Sequence, residues 1–232
     1  MFRILKIMYT SPAGKLLWFK WWTALYFFYQ LPRFSVDLDF DIINPVPQDF
    51  KETLFTVLEK ELKSLGATIK YDWTLQNSFR FIVQYGWDKK LKIECTTHEY
   101  PNHYTMNPLL WLTVQTMDIR RMFAHKLCAF FSRQQHRWYI ANRDLYDIHF
   151  LFMQNIIPHE AIIRIRTEKL FGKTLWNKEF YAYRHEYLSK NQKNLQNSIL
   201  DWLGELLEPK QKQRVKDHLL QELSEQFQLR LL

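Results

Sequence analysis

The segment from Arg33 to Asp41, Arg-Phe-Ser-Val-Asp-Leu-Asp-Phe-Asp, constrains the fold more than any other part of the chain. Apolar and acidic residues alternate along it, and residues two apart on a β-strand point to the same face of a sheet. Its apolar residues would therefore face a core. Asp37 and Asp39, extended by Asp41 if the strand continues, would line the opposite face.

The carboxylates on this face carry like charges. Carboxylates this close repel each other, and burying an unpaired carboxylate is costly. A divalent cation such as Mg²⁺, which takes one or two carboxylates together with substrate phosphate oxygens, would resolve that conflict. The alternative is an exposed edge strand with a solvated acidic face.

The rest of the chain predicts an α+β fold in two parts. Strand and helix patterns are mixed in the first part, and helical patterns dominate the second. We expect an α/β core over residues 1–108 and a helical region over residues 109–232, with the boundary between Tyr100 and Met117. Only 5 glycines are present in 232 residues, so long flexible linkers are not expected. The predicted strands are 16–19, 34–43, 68–73, 79–85 and 91–95, and the predicted helices are 23–31, 50–65, 118–133, 143–154, 159–171, 195–207 and 209–231.

Charge and composition narrow the function classes. The net charge of +8 favours anionic partners such as nucleotides or RNA, although a basic protein without such a partner has the same signature. The two cysteines, Cys95 and Cys128, lack metal-site spacing and are expected to be reduced core residues of a cytoplasmic protein. The apolar run from Leu16 to Leu31 contains Lys20 and is shorter than about 20 residues, so no transmembrane helix is predicted. Histidine spacing gives no zinc motif.

Two neighbouring stretches, Lys20–Leu25 and Tyr29–Phe40, closely resemble the signature of the AbiEii/AbiGii nucleotidyltransferase toxins of bacterial toxin–antitoxin systems. That family shows two glycines, Thr-Ala-Leu, a short helix and then Arg-Phe-Ser-x-Asp-Leu-Asp-Phe. The resemblance implies a catalytic core like that of DNA polymerase β, an NTP substrate, and a Mg²⁺ or Mn²⁺ site at Asp37 and Asp39. It also implies a cognate antitoxin protein as a partner.

By the same resemblance, a third carboxylate on a neighbouring strand completes the site. Leu91-Lys92-Ile93-Glu94 is similar to the family's corresponding strand, and alternation places Glu94 on the side of Lys92, away from Ile93 and Cys95. Glu94 is therefore the candidate for a catalytic and metal-binding role. A surface strand carrying a Lys/Glu pair is the alternative.

A second resemblance lies in the helical part. Residues 125–147 are similar to the family's Lys-Leu-x-Ala…Arg…Arg-Asp-x-x-Asp motif. Lys126 and Arg133 are seven residues apart, so one helix face could present both to a triphosphate. Asp144 is a catalytic candidate or a charge at a helix N-terminus. Asp147 is equally compatible with function and with a structural pairing to Arg143 or Lys126.

The chain departs from the family pattern where the paired glycines are replaced by Trp21 and Trp22. Such glycines allow backbone N–H groups to approach a phosphate at a helix N-terminus. Thr23 is retained and could cap the helix or contact phosphate. We expect Trp21 to pack in the core and Trp22 to lie nearer the nucleotide. The nucleotide-binding candidates are Trp22, Thr23, Arg33, Ser35, Lys126 and Arg133.

Two functions follow from these residues. In the first, the protein transfers a nucleoside monophosphate from an NTP to an acceptor, for which the resemblance suggests RNA such as a tRNA end. In the second, it is a catalytically inactive or weakened relative of the same fold that binds nucleotide, RNA or protein. No interaction with a membrane is expected in either case.

Overall fold

A seven-stranded mixed sheet, in the order β3-β4-β5-β2-β1-β7-β6, is the framework of the N-terminal part of the chain. The computed structural model describes residues 1–33, 35, 37–43, 47–75, 78–97, 100–137, 142–172, 179–182, 185–191, 195 and 209–230. These residues belong to two compact units, one of Met1–Gln30 with Ser35–Asp118 and one of Leu31–Phe34 with Ile119–Leu232. The α+β class expected from the sequence is confirmed.

The first unit contains every described strand and three helices. Its elements are α1 Phe2–Thr10, β1 Leu17–Lys20, α2 Trp21–Tyr29, β2 Asp37–Ile42, α3 Phe50–Ser64, β3 Thr68–Leu75, β4 Ser78–Tyr85, β5 Lys89–Thr97, β6 Tyr104–Leu109 and β7 Leu112–Met117. β2 is antiparallel to β1 and parallel to β5, and β1 is parallel to β7. The chain therefore places the acidic strand in the interior of the sheet, between β1 and β5.

One face of the sheet carries the core of this unit. Burial alternates along β4 and β5, where Phe79, Phe81, Leu91 and Ile93 are buried and the residues between them are partly exposed. This alternation is what a strand with one buried face requires. Helix α3 contributes an apolar stripe to the core at a spacing of four residues, Phe50, Leu54, Leu58 and Leu62.

Three elements of this unit were not predicted. Helix α1 has nine residues and no side-chain cap, and its buried residues Ile4, Leu5 and Met8 stand at helical spacing. Gly14 follows it in a 3-10 turn, where a Cβ atom would lie 2.6 Å from the carbonyl oxygen of Met8. Strands β6 and β7 form a hairpin, and β6 contains Pro108. β6 is the edge strand, where a proline is tolerated.

The second unit is helical in all its described elements. They are α4 Ile119–Arg137, α5 Asn142–Met153, α6 Glu160–Phe171 and α7 Pro209–Leu229, with further helical residues at 179–182 and 185–191. Helix α4 packs against α5 and α6, and α5 packs against α7. Apart from residue 195, the helix predicted over residues 195–207 lies outside the described residues. No described helix has both the length and the apolar character needed to cross a membrane.

Candidate active site

The acidic strand β2 and its parallel neighbour β5 bring the predicted carboxylates together. Asp37 lies opposite Lys92 in the register, and Asp39 lies opposite Glu94. Neighbouring residues in register point to the same face of a sheet, so all three carboxylates share the face opposite the core. Asp37, Asp39 and Glu94 are all partly exposed. The structure thus groups three candidates that are up to 57 positions apart in the sequence.

Two cations lie among these carboxylates. Lys92 Nζ is 3.5 Å from Asp37 Oδ2 and 3.4 Å from Glu94 Oε2, and Arg80 Nη2 on β4 is 3.6 Å from Glu94 Oε2. These separations are longer than a good charge-assisted hydrogen bond. The carboxylates are therefore balanced by nearby positive charge without being held in tight ion pairs.

The pKa of Asp39 reflects its burial and the nearby charge of Asp37. Burial raises the pKa of Asp39 to about 7, and the negative charge of Asp37 adds to the rise, while Lys92 and Lys20 oppose it. A cation bound beside Asp39 would favour its ionised form.

The carboxylates of this face suit one type of divalent-metal site, in which the protein supplies only one or two ligands. Among the described residues, no group of three or more His, Cys, Asp or Glu side chains is placed to hold a metal ion. Mg²⁺ commonly uses only one or two carboxylates and fills its remaining positions with water and substrate phosphate. The crowded pair Asp37 and Asp39, with the raised pKa of Asp39, matches that open type of site.

Asp41, the third acidic residue of β2, is hydrogen-bonded to Lys20, Asn102 and Tyr104. Its Oδ1 accepts a hydrogen bond of 2.6 Å from Lys20 Nζ, and both side chains are buried. Its Oδ2 accepts from the Tyr104 hydroxyl and, at 3.4 Å, from Asn102 Nδ2. Asp41 is therefore a structural ion-pair partner in this conformation.

Lys20 is a residue of this face that sequence reasoning missed. It lies at the end of β1, opposite Asp39 in the antiparallel register. The available signal was a lysine inside an otherwise apolar run.

The two tryptophans begin α2, directly after Lys20. Trp21 has φ +64°, a left-handed backbone conformation that favours glycine, which explains why a glycine suits this position. Trp22 is buried and Trp21 is partly exposed, so the expected burial of the two indoles is wrong. Trp21 is the first residue of α2 and departs from helical backbone geometry, whereas Trp22 follows in the helix and its ring is buried. The rings stack at 6.1 Å, and Lys20 Nζ is 5.4 Å from the Trp21 ring.

Thr23 and Ser35 connect α2 to the start of β2. Their hydroxyls are 2.7 Å apart, and the Thr23 hydroxyl also donates to the main-chain carbonyl of Asp37. Both residues are buried. In this arrangement the two hydroxyls fix the backbone from which Asp37 projects.

In the second unit, the residues of the helical motif form a buried charge network. Lys126 Nζ on α4 bonds Asp144 Oδ1 and lies 3.2 Å from Asp147 Oδ2, both on α5. Arg33 donates from Nε and Nη2 to the two oxygens of Asp147 at 2.6 and 2.7 Å. All four side chains are at most 4% exposed. Of the pairings considered for Asp147, the structure contains that with Lys126.

The removal of these charged side chains from water shifts the pKa of Lys126. Burial lowers the pKa of Lys126 to about 8, although Asp144 and Asp147 oppose the shift. The ammonium group faces two carboxylates in the interior of the unit and does not reach solvent. Arg133, predicted to share a face with Lys126, lies on α4, but its side chain is outside the described part of the chain.

Comparison with known proteins gives a consistent result. The family model described as nucleotidyl transferase AbiEii toxin, type IV TA system, matches residues 3–229. The fold is similar to the crystal structure of JHP933 from Helicobacter pylori, with a TM-score of 0.62 and 22% identity over 99% of this chain and 89% of that one. It is also similar to MenT4, a nucleotidyltransferase toxin from Mycobacterium tuberculosis H37Rv, with a TM-score of 0.51 and 17% identity over 98% of this chain and 84% of that one. No curated protein sequence gives a significant match.

Proposed function

The chain belongs to the AbiEii family of nucleotidyltransferase toxins, and we propose that it transfers a nucleoside monophosphate from an NTP to a hydroxyl group of an acceptor. Membership in a family of type IV toxin–antitoxin systems implies a nucleotide substrate and an antitoxin counterpart. The observation that carries the proposal is the group of Asp37, Asp39 and Glu94 on one face of β2 and β5. We further propose RNA as the acceptor and the cytoplasm as the place of action, since both RNA and NTPs are found there.

The proposed reaction is an in-line displacement at the α-phosphorus of the NTP. The acceptor oxygen forms a bond to this phosphorus while the bond to the bridging oxygen of the β-phosphate breaks, and pyrophosphate leaves with the electron pair. The acceptor hydroxyl loses its proton to a carboxylate, a role we assign to Glu94. Its partial exposure keeps it accessible to the acceptor.

The pair Asp37 and Asp39 would hold Mg²⁺ or Mn²⁺, with Glu94 beside them on β5. A metal in such a site stabilises charge on the attacking and leaving oxygens. Lys92 and Arg80 limit the repulsion between Asp37 and Glu94 before substrate arrives. Their positive charge supports the same carboxylate arrangement in the absence of metal.

The remaining candidates are proposed to position these groups. Thr23 and Ser35 hold the start of β2 against α2, and Trp22 is a buried residue of α2. Lys126, Asp144 and Arg33 tie α4, α5 and the segment around Pro32 into one buried network. We therefore propose that Lys126 and Asp144 act by shaping the helical unit, while the nucleotide role of Arg133 remains a proposal from its motif position.

Transfer is tested by incubating the purified protein with Mg²⁺, total RNA and each NTP, labelled at either the α- or the γ-phosphate. Nucleotidyl transfer places the α label in RNA and leaves the γ label in pyrophosphate. Asp39→Asn is expected to abolish incorporation, and Asp49→Asn, the same change at the exposed N-cap of α3, is expected to retain it. Full activity in a folded Asp39→Asn variant would show that the proposed site is wrong.

A second candidate function is a binding protein that has lost catalysis, and the indoles of Trp21 and Trp22 favour it. If they obstruct a phosphate cradle, the Trp21→Gly/Trp22→Gly variant should bind Mg²⁺–NTP more tightly or transfer faster. If they belong to the nucleotide site, the same variant should bind more weakly. Calorimetric titration separates these cases, and absence of NTP binding in both proteins would favour the inactive relative.

A further inference from the structure

The sheet face that carries the candidate carboxylates continues outward as a basic surface. Lys70 on β3 lies opposite Ile82 on β4, and Ile82 lies opposite Lys92 on β5, so these three residues share a face. Arg80 is opposite Glu94, and Lys90 is two residues before Lys92, which places both on the same face. We call Lys70, Arg80, Lys90 and Lys92 the basic track. It begins beside Glu94 and extends to the outermost strand of the sheet on that side, β3.

Two of the four cations of the basic track form no ion pair with the described residues. Lys92 and Arg80 face the site carboxylates, but neither Lys70 nor Lys90 has an ion-pair partner in the part of the chain that the structure describes. Both side chains are exposed. A set of like charges in one row raises the electrostatic free energy of the isolated protein, and an anionic partner would lower it.

The hairpin at the end of this surface presents an aromatic ring. Trp87 lies in the turn between β4 and β5 and is 100% exposed, and Lys89 and Lys90 follow it. Gly86 has φ +73° and supplies the conformation that the turn needs, so the tryptophan is not required by the backbone. A fully exposed indole contributes nothing to the core, whereas its face is available for stacking.

We propose that the basic track and Trp87 form a binding surface for the acceptor as a single-stranded nucleic acid, an inference that rests on the proposed transferase function. The cations contact successive phosphates, and an unpaired base stacks on Trp87. Positive charge along a backbone path together with an exposed aromatic ring is the combination that binds single strands without sequence preference. Glu94, at the inner end of the track, faces the acceptor hydroxyl.

The dimensions of the surface set the length of acceptor that can use it. Trp87 is seven residues before Glu94 in the hairpin and along β5, which corresponds to about 20 Å. From β2 to β3 is three strand spacings, or about 14 Å. A base stacked on Trp87 is therefore several nucleotides from the reacting end, and a dinucleotide acceptor cannot reach both.

The test is fluorescence anisotropy of the full-length protein with an end-labelled 12-nucleotide single-stranded RNA, in the absence of NTP. Trp87→Ala should weaken binding about 5- to 100-fold, the range for loss of one stacked base, and Trp87→Phe should restore most of it. Lys70→Gln and Lys90→Gln should each lower the slope of log affinity against log salt by about 0.7. The matched control is Trp111→Ala, which removes a 68% exposed tryptophan from the β6–β7 hairpin at the opposite end of the sheet.

The inference is overturned if Trp87→Ala binds RNA as tightly as the wild type, or if Trp111→Ala weakens binding equally. It is also overturned if the wild type binds no single-stranded RNA. Where transfer is measurable, Trp87→Ala should raise KM for the 12-nucleotide acceptor without changing kcat, and should leave a dinucleotide acceptor unaffected. RNA binding that depends on Trp87 in a protein without transfer activity would disprove the proposed function alone.

Discussion

At the scale of single residues, Asp39 and Asp41 should respond in opposite ways to the same substitution. Asp39 has a folded-state pKa of about 7, against about 3.9 in an unfolded chain. Between these values the native state binds more protons at Asp39, so the contribution of Asp39 to the stability of the metal-free protein falls as pH rises from about 4 to about 7. Asp39→Asn should therefore stabilise the protein above pH 7 by about 1 to 3 kcal/mol, allowing for solvent screening, with no gain near pH 4.

Asp41→Asn should instead destabilise the protein by about 3 kcal/mol, because it leaves buried Lys20 without its charged partner. Urea unfolding in EDTA at pH 5 and pH 8 measures both variants. If Asp39→Asn lost stability at pH 8, the view that burial and the charge of Asp37 raise the pKa of Asp39 would be incorrect.

Trp21 and Trp22 provide a second contrast between neighbours. Trp21→Gly removes a partly exposed indole but relieves a left-handed conformation that costs a non-glycine residue about 1 kcal/mol. We expect its net effect on the free energy of unfolding to be within about 1 kcal/mol of zero. Trp22→Gly removes a buried ring and places glycine in a helix, and should cost about 3 to 5 kcal/mol. Equal losses in the two variants, measured by urea unfolding, would contradict the assigned conformations.

At the scale of elements, the buried network between α4 and α5 should behave as one unit. Lys126→Met leaves the carboxylate of Asp144 buried without its cation and should cost about 3 to 5 kcal/mol. Lys126→Met/Asp144→Leu removes both charges and should be less destabilised than Lys126→Met alone. The control is the exposed pair Glu186 and Lys190, whose double-variant cycle should show a far smaller coupling because solvent screens both charges. Additive costs for the buried pair in the same unfolding assay would show that its members are not coupled.

The elements also show what sequence reasoning could and could not predict. Strands β2, β4 and β5 were predicted because apolar and polar residues alternate along them, and that alternation follows directly from one-sided burial. Strands β6 and β7 were missed because their turn, Leu110–Trp111, lacks the usual turn residues and Leu110 adopts φ +55°. Alternation fixes which face a residue is on, but it does not fix which strands are neighbours. The pairing of Asp39 with Glu94 was therefore expected from family resemblance and not from spacing.

The buried charges illustrate a second limit. Lys20 and Lys126 are lysines in apolar surroundings, and sequence alone does not distinguish a buried lysine with carboxylate partners from an exposed one. The partners of Lys126 are 18 and 21 positions away, and that of Lys20 is 21 positions away. Such pairings are decided by tertiary packing, which local periodicity does not record.

At the scale of the whole molecule, nucleotide binding should stabilise the protein only when a divalent metal is present. A ligand that binds the native state at 100 times its Kd adds about 2.7 kcal/mol, which raises Tm by several degrees for a chain of this size. The net charge of +8 allows NTP to bind weakly through charge alone, so the measurement belongs at about 0.3 M salt, where exposed charges are screened. Under these conditions Mg²⁺ with NTP should raise Tm, and neither Mg²⁺ nor NTP in EDTA should do so to the same extent. Asp39→Asn should lose the metal-dependent part of the shift, while Asp49→Asn should keep it. An equal rise in Tm with NTP in EDTA would show that the nucleotide binds without the carboxylate site, and would favour the binding-only function over the transferase.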